Sequence, residues 1–209
     1  MKIVEVKTPK GNMYVRLYDE TPQHRDNFLK LAGEGFYNGT TFHRIIKSFM
    51  IQGGDPYSKN PAMADMAGTG GPGYNVPAEI NPTLFHKKGA LAAARQGDAI
   101  NPEKKSSGSQ FYIVHGNTYN ANQIESLEKR IQYAKPNFSW SAEQKDAYAK
   151  LGGTPQLDGD YTVFGEVVKG FEVLDAIAKI PTVPGDRPVE STHMEMTILD
   201  VENLESLPA

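Results

Sequence analysis

The sequence predicts a mainly β fold that is interrupted by one helical segment, and three observations support this prediction. Several short stretches alternate apolar and polar side chains with a period of two, which is typical of half-buried strands. The 20 glycines and 14 prolines exceed the usual shares of about 7% and 5%, which favours many turns over long helices. Residues 118–154, in contrast, place apolar residues at the three-and-four spacing of helices.

The first predicted elements are a hairpin and a helix. The alternating segments Lys2–Lys7 and Met13–Tyr18 predict two strands, and the Pro, Gly and Asn residues between them predict a turn. Thr21 is a candidate N-cap of a helix whose first position is a proline and which ends at Gly33. This helix has one apolar face, so we expect that face to be buried.

Residues 42–55 predict two short strands, His43–Ile46 and Phe49–Gln52, with a bend between them and a glycine turn after them. Strand alternation puts Met50 and Gln52 on one face and Phe49 and Ile51 on the other, unless the bend at Ser48 turns Phe49 toward the face of Met50. Arg44 is unusual here, because arginine is rarely buried and this stretch is apolar. Composition alone favours a plain core segment but leaves this arginine unexplained.

The middle of the chain predicts a long loop, a helix and two strands. The loop contains Gly68–Gly73, which invites comparison with a phosphate-binding loop, but no Gly-Lys-Ser/Thr follows and no helix begins there. We therefore predict a tight turn. Gly89–Arg95 is rich in alanine and predicts a helix by propensity. Ser109–His115 and Thr162–Val168 alternate and predict strands.

Two helices are predicted within residues 118–154. Asn120 can cap the first, and Ser141 opens the second with the capping-box pattern that ends in Gln144. Gly152 and the glycine after it stop the second helix. A further helix is predicted near 169–179, and Met194–Val201 predicts a last strand.

Charge and composition exclude several classes of function. The net charge of −3 and the pI near 6.0 argue against a nucleic-acid or anionic-membrane surface. The chain has no cysteine, which excludes disulfides and thiol chemistry, and no apolar run approaches 18 residues. Glu5 stands where a signal peptide would be apolar, so we expect a cytoplasmic protein, or a periplasmic one if an export signal has been removed.

Metal, covalent and phosphate chemistry all lack their usual residues. No Gly-x-Ser-x-Gly elbow is present, so no serine nucleophile is indicated. We therefore expect no metal and no cofactor, and either catalysis by binding and electrostatics or no catalysis. The histidines are scattered without the short spacing of metal ligands, at His24, His43, His86, His115 and His193.

Several ordered motifs resemble the cyclophilins, a family of peptidyl-prolyl cis-trans isomerases. The resemblance covers the chain apart from residues 118–154 and the two ends, and Gly68–Gly73 also stands in family order. Its length and the order of the motifs make it specific. The segments that carry it are Phe42–Ile46, Phe49–Asp55, Ser109–Ile113, Leu157–Gly159 and Val163–Val167.

The resemblance implies a closed eight-stranded antiparallel barrel that is capped by two helices. The predicted helices near 21–34 and 169–179 suit that role, and residues 118–154 would be a helical insertion within a single domain, 1–209. Side chains fill the interior of a barrel of this size, so we expect the substrate on its outer wall.

The resemblance also implies a site and its substrate, an X-Pro bond in a peptide or an unfolded protein. In the family pattern Arg44 donates a hydrogen bond to the prolyl nitrogen at the twisted state, and Gln52 holds the neighbouring backbone or carbonyl. The apolar pocket for the proline ring and the adjoining peptide groove would be formed by Phe49, Met50, Tyr112, Leu157 and Tyr161, and by Ala94, Arg95 (through its backbone) and Gln110.

Three positions depart from the family pattern. Tyr112 stands where the family usually has phenylalanine, so its hydroxyl needs a partner. Gln156 stands where the family often has a tryptophan that helps to bind cyclosporin, so we predict weak cyclosporin binding. Tyr161 replaces a frequent histidine, and Trp140 cannot be assumed to supply the missing indole ring.

Two functions therefore remain open. The first is an active isomerase that assists protein folding, which the presence of Arg44 and Gln52 favours. The second is a weakly active or inactive module that binds proline-containing peptides or a partner protein, which Tyr112 and Gln156 keep open. Residues 118–154 are either a packed lid without a function or a docking surface.

Overall fold

Twelve strands, four α-helices and several short 3-10 helices form the regular structure of residues 1–208, which are the residues that the computed structural model describes. The strands are β1 (Lys2–Thr8), β2 (Gly11–Leu17), β3 (Arg44–Ile46), β4 (Met50–Gly53), β5 (Asn75–Val76), β6 (Ala90–Ala93), β7 (Ser106–Ser107), β8 (Phe111–Val114), β9 (Val163–Lys169), β10 (Thr182–Val183), β11 (Arg187–Pro188) and β12 (Glu195–Asp200). The α-helices are α1 (Pro22–Gly33), α2 (Ala121–Ala134), α3 (Ala142–Lys150) and α4 (Phe171–Ala178), and the 3-10 helices are Pro56–Lys59, Pro61–Met66, Pro155–Leu157 and Leu204–Ser206.

Eight strands form one curled antiparallel sheet that does not close into a barrel. Its order is β12-β1-β2-β9-β6-β8-β4-β3. Within residues 1–208 the edge strands β12 and β3 share no ladder, and a single bridge between Thr41 and His193 links the segments beside them. The N–H of Ile45 in β3 donates instead to the carbonyl of Asp186 at 2.8 Å. The predicted closed barrel is therefore wrong in this respect, because a hairpin loop and not β12 takes the outer edge of β3.

The inner face of the sheet forms the main core. Register partners Ile45, Ile51, Ile113 and Leu91 lie in one row across β3, β4, β8 and β6, and all are buried in the main apolar cluster. Because successive residues of a strand point to opposite faces, the neighbours of these residues point outward. The outward row is where the candidate site lies.

Helices α1 and α4 pack against the inner face, as the sequence predicts. Phe28 of α1 and Leu174 of α4 are buried in the main apolar cluster. Thr21 precedes α1, but its hydroxyl bonds to the Tyr18 carbonyl and not to a helix N–H, so the predicted side-chain cap is not formed. None of the helices within residues 1–208 combines the length and the apolar character that crossing a membrane requires.

His24 of α1 makes the stability of the fold dependent on pH. Its Nδ1 lies 2.6 Å from Glu79 Oε2 and its Nε2 lies 2.8 Å from the Ser106 hydroxyl. Burial lowers the pKa of His24 below its usual value of 6.5, although Glu79 opposes the shift. The unfolded chain therefore binds the proton first, and this contribution to stability is present above pH 6.5 and lost as the pH falls.

We expect the free energy of unfolding to fall between pH 7 and pH 5, as measured by urea unfolding at a series of pH values. Burial also lowers the pKa values of His43 and His115, so their contributions have the same sign. His24→Asn should reduce the slope. A stability that stays constant or rises on acidification over this range would contradict the assignment.

The segment Gly89–Arg95 is not a helix, so that prediction is wrong. Residues Ala90–Ala93 form β6, which pairs with β8 on one side and β9 on the other. Alanine favours a helix in isolation, but here strand pairing on both edges and the burial of Leu91 outweigh that preference.

Helices α2 and α3 lie between β8 and β9, at the positions that the sequence predicts. Asn120 and Ser141 each form a complete capping box at the start of their helix. The two helices and the segment between them enclose a small apolar cluster whose buried members are Ile124, Trp140 and Tyr148.

Candidate active site

The outer face of the sheet brings the predicted catalytic residues into one row. Arg44 in β3 is the register partner of Gln52 in β4, which is the partner of Tyr112 in β8. Tyr112 is in turn the partner of Ala92 in β6. Their side chains therefore point to the same face, opposite to the core row, and lie on the outer wall where the sequence places the substrate.

A pocket of about 210 Å³ lies on this face. All but one of the residues that the resemblance assigns to the site line it. They are Arg44, Phe49, Met50, Gln52, Ala94, Arg95, Tyr112, Leu157 and Tyr161. The remaining residue, Gln110, lines an adjoining groove of about 510 Å³ that also touches Gln52, Ala94 and Arg95. The two cavities share three residues and together form one continuous surface for an extended ligand.

The bend between β3 and β4 turns Phe49 toward the pocket. Ser48 has a φ of 63°, a left-handed conformation that is uncommon for residues other than glycine. The Ser48 N–H donates to His115 Nδ1 at 3.0 Å, and the Phe49 carbonyl accepts from the N–H groups of His115 and Gly116. These bonds hold the bend, so Phe49 and Met50 line the pocket together although they are neighbours in sequence.

Arg44 lies at the rim of the pocket and is held by an ion pair that the sequence did not indicate. Its Nε lies 3.2 Å from Oδ2 of Asp186, in the hairpin loop between β10 and β11. Asp186 has a left-handed φ of 60° and its carbonyl accepts from Ile45, so the loop is fixed against β3. The two residues are 142 positions apart in the sequence, so no local sequence pattern predicts their contact.

If the activity is the prolyl isomerisation that the resemblance implies, Asp186→Asn should lower kcat by a few fold, because asparagine tolerates the left-handed backbone but no longer orients the Arg44 guanidinium by charge. Both side chains are more than 40% exposed, so the pair is worth at most about 1 kcal/mol, or roughly a factor of five. Kinetics with a proline peptide at low and high salt measure the effect. Equal kcat values for the variant and the wild type at low salt would show that Asp186 does not orient Arg44.

Gln52 and Gln110 belong to a chain of hydrogen bonds that ends at a buried carboxylate. Gln52 Nε2 donates to Gln110 Oε1 at 3.1 Å, and Gln110 Nε2 donates to the Gly70 carbonyl at 2.8 Å and to Asp55 Oδ2 at 3.3 Å. Asp55 also accepts the N–H groups of Gly68 and Gly70. A Cβ on Gly70 would lie 2.4 Å from Asp55 Oδ1, so only glycine allows this approach. The glycine-rich loop thus wraps a carboxylate of the chain itself and forms a wall of the groove.

The Tyr112 hydroxyl has the partner that the sequence analysis required. It lies 2.8 Å from His86 Nε2, and His86 Nδ1 lies 2.7 Å from Asp158 Oδ1. Since a carboxylate only accepts, Nδ1 carries the proton and the hydroxyl donates to Nε2. Burial raises the pKa of Tyr112 well above its usual value, so the phenol stays neutral. Sequence reasoning missed His86 and Asp158, since a lone histidine 26 residues away gives no spacing signal.

Arg95 and Tyr161 close the side of the pocket opposite Arg44's strand. The Arg95 guanidinium lies 4.5 Å from the centroid of the Tyr161 ring, which is a cation–π contact. Its Nε donates to the Asp160 carbonyl at 2.8 Å, and an ion pair joins it to Asp98. These contacts hold the Arg95 side chain in the wall of the pocket, which adds to the backbone role that the resemblance implies.

The model of the cyclophilin-type peptidyl-prolyl cis-trans isomerase family matches residues 3–201. The chain belongs to this family.

Individual relatives agree with this assignment. A protein named putative peptidyl-prolyl cis-trans isomerase from Staphylococcus aureus is 35% identical over 200 residues, which is 95% of this chain and 91% of the relative. A putative bifunctional phosphatase/peptidyl-prolyl cis-trans isomerase from Streptococcus pyogenes is 39% identical over 92% of this chain, but the match spans only 37% of that relative.

Solved cyclophilin structures share the fold. The crystal structure of a cyclophilin-type isomerase from Cryptosporidium parvum has a TM-score of 0.70 at 26% identity and covers 96% of this chain and 98% of its own. A second structure of that protein, crystallised in the presence of the dipeptide Ala-Pro, has a TM-score of 0.68 at 26% identity and covers 96% and 99%.

Gln156 and Trp140 show where an indole ring stands relative to the pocket. Gln156 is exposed in the 3-10 helix Pro155–Leu157, next to Leu157 of the pocket, and it offers no indole ring there. Trp140, the single tryptophan of the chain, is 5% exposed and its Nε1 donates to Asp158 at 2.7 Å. Its indole ring therefore lies beneath α2 and α3 and is not one of the groups that line the pocket.

Proposed function

We propose that this cyclophilin accelerates the cis–trans isomerisation of X-Pro bonds by holding the proline ring and stabilising the twisted amide without a covalent step. Rotation about a peptide bond costs about 18–20 kcal/mol, because the nitrogen lone pair is shared with the carbonyl. At the twisted state the lone pair is localised on nitrogen and can accept a hydrogen bond. A donor at that atom binds the twisted state better than either planar isomer.

The observation that supports this proposal most directly is the placement of Arg44. Its guanidinium stands at the rim of a pocket whose apolar wall includes Phe49, Met50 and Leu157. The apolar wall suits a proline ring, and we propose that the amide nitrogen of the bound proline lies beside the charged donor. In this proposal Gln52, the register partner of Arg44, holds the neighbouring carbonyl.

The size of the effect limits what Arg44 alone contributes. A hydrogen bond to a charged group is worth about 1.5–3 kcal/mol, which corresponds to roughly one to two decades in rate. The remaining acceleration comes from the orientation of the bound peptide and from the exclusion of water by the pocket.

The alternative is a weakly active module that binds proline-containing peptides, and Gln156 is the feature that favours it. Tyr112 no longer supports that alternative strongly, because its hydroxyl bonds to His86 and its ring forms the pocket wall. A protease-coupled assay on a peptide with an Ala-Pro bond separates the two functions. The proposal requires acceleration by the wild-type protein; peptide binding without acceleration would establish the alternative.

The proposed substrates are X-Pro bonds in peptides and unfolded chains, and the proposed setting is protein folding in the cytoplasm. The groove beside the pocket is lined by the Gln52–Gln110 pair, by Gln96, Asn101 and Lys105, and by the glycine-rich loop. A groove of this kind accepts an extended chain.

Cyclosporin should bind weakly to the wild-type protein, because Gln156 offers no indole ring and Trp140 is buried. Gln156→Trp should raise the affinity, which a competition titration with a labelled proline peptide would measure. A Gln156→Leu variant shows whether added apolar surface raises the cyclosporin affinity as much as the indole ring does. Tight binding by the wild-type protein would contradict this prediction.

A further inference from the structure

A buried chain of hydrogen bonds joins the wall of the apolar pocket to the helical segment 118–154. On the pocket side, the Tyr112 hydroxyl donates to His86, and His86 donates to Asp158 through both its ring Nδ1–H and its backbone N–H. On the helical side, the indole N–H of Trp140 and the hydroxyl of Tyr148 donate to the other oxygen of Asp158. All five residues are at most 5% exposed.

The backbone reinforces this connection. Leu157, which lines the pocket, directly precedes Asp158. The N–H of Thr154 donates to the His86 carbonyl at 2.8 Å, so the end of the helical segment is fastened to the histidine. Gly153 allows that approach, because a Cβ there would lie 2.2 Å from the same carbonyl.

A polar chain of this kind does more than hold two helices in place. Apolar packing would fix α2 and α3 without the cost of burying a carboxylate. A fully satisfied network differs in that it accepts one arrangement, since each displaced partner leaves a buried polar atom without a hydrogen bond. The helical segment thus fixes Asp158, Asp158 fixes His86, and His86 fixes the ring of Tyr112.

We propose that the helical segment 118–154 positions the proline pocket through Trp140, Tyr148, Asp158 and His86. This role rests on the proposed isomerase function. It differs from both a passive lid and a docking surface, because its effect is on the affinity of the pocket for the peptide.

The expected kinetic signature follows from what the pocket holds. The proline ring occupies it in the cis, trans and twisted states alike, so a loosened pocket weakens the binding of all three by a similar factor. Such a change raises KM and leaves kcat nearly unchanged. Loss of the Arg44 donor has the opposite signature, a lower kcat.

Three variants remove single donors of the network, namely Tyr148→Phe, Trp140→Phe and Tyr112→Phe. Two controls remove comparable bonds elsewhere. Tyr14→Phe deletes a buried hydroxyl that donates to Glu5 at 3.1 Å in the strands far from the pocket. Gln144→Glu keeps the capping box of α3 but loses the amide donor to the Pro82 carbonyl, so it removes one hydrogen bond of the helical segment that is not part of the Asp158 network.

We expect the three network variants to raise KM, and the equilibrium dissociation constant of an Ala-Pro peptide, by about 3-fold or more, as for the loss of one buried hydrogen bond. The two controls should lower stability without changing either constant. Network variants that lose stability but bind the peptide as the wild type does would overturn the proposal, and so would equal weakening by the controls. If one variant fails to fold, the other two still decide the question.

Trp140 offers an independent measurement because it is the only tryptophan and gives a single indole N–H resonance. Coupling between two sites is reciprocal, so saturating peptide should slow hydrogen exchange at this N–H by the factor that the network variants lose in affinity. Unchanged exchange at saturation would also overturn the proposal. The dissociation constant and the hydrogen exchange need only peptide binding. They therefore separate this proposal from the isomerase function, which wild-type turnover tests.

Discussion

Arg44→Ala should lower kcat for an Ala-Pro peptide by about 10- to 100-fold and change KM little. The guanidinium is proposed to act only at the twisted state, where a hydrogen bond to a charged donor is worth about 1.5–3 kcal/mol. The side chain is 43% exposed and its ion pair with Asp186 is half-exposed, so the variant should fold as the wild type does. Protease-coupled kinetics over a range of peptide concentrations measure both constants.

Two further variants make this result specific. Arg44→Lys keeps the charge but loses the planar fork, so it should recover only part of kcat. Arg25→Ala removes a partly exposed arginine of α1 that pairs with Asp19 and Asp26, and it should turn over like the wild type. An Arg44→Ala protein with wild-type kcat would remove Arg44 from the mechanism.

Asp158→Ala should have the largest effect on stability, about 3–5 kcal/mol, as measured by urea unfolding. The substitution leaves His86, Trp140 and Tyr148 with buried donors and no acceptor, which is the costly half of breaking a buried polar network. A smaller loss is expected for Asp158→Asn, because the amide keeps one acceptor oxygen.

Asp175→Ala is the matched control for this prediction. Asp175 also carries a carboxylate with a close partner, here Lys88, but its side chain is 34% exposed, so its removal should cost less than about 1 kcal/mol. Equal losses at Asp158 and Asp175 would show that the buried network does not stabilise the fold.

Local chemistry in the sequence predicted the elements whose signals are local. The capping boxes of α2 and α3 depend on residues three positions apart, and the strands around the bend at Ser48 follow alternation and turn residues. The pocket residues came from the family resemblance, and their positions on one face follow from strand register. β6 was mispredicted because alanine propensity is local whereas pairing with β8 and β9 is not.

The contacts that could not be predicted from the sequence join residues that are far apart along the chain. Asp186 reaches Arg44 across 142 residues, and His86 reaches Asp158 across 72 residues. Neither pair has a characteristic spacing, and a lone histidine or a turn aspartate usually lies at the surface. The open edge between β3 and β12 was missed for a similar reason, since only the folded loop at Asp186 reveals what covers β3.

The central claim is that the pocket stabilises the twisted amide through Arg44 while holding the proline ring in all states. The most direct test is exchange NMR on one Ala-Pro peptide, which gives the cis–trans exchange rate at saturating protein and the dissociation constant from the same samples. Wild type should accelerate exchange strongly, and Arg44→Ala should slow it about 10- to 100-fold at nearly the same dissociation constant. Saturated wild-type protein that leaves the exchange rate unchanged would contradict the account.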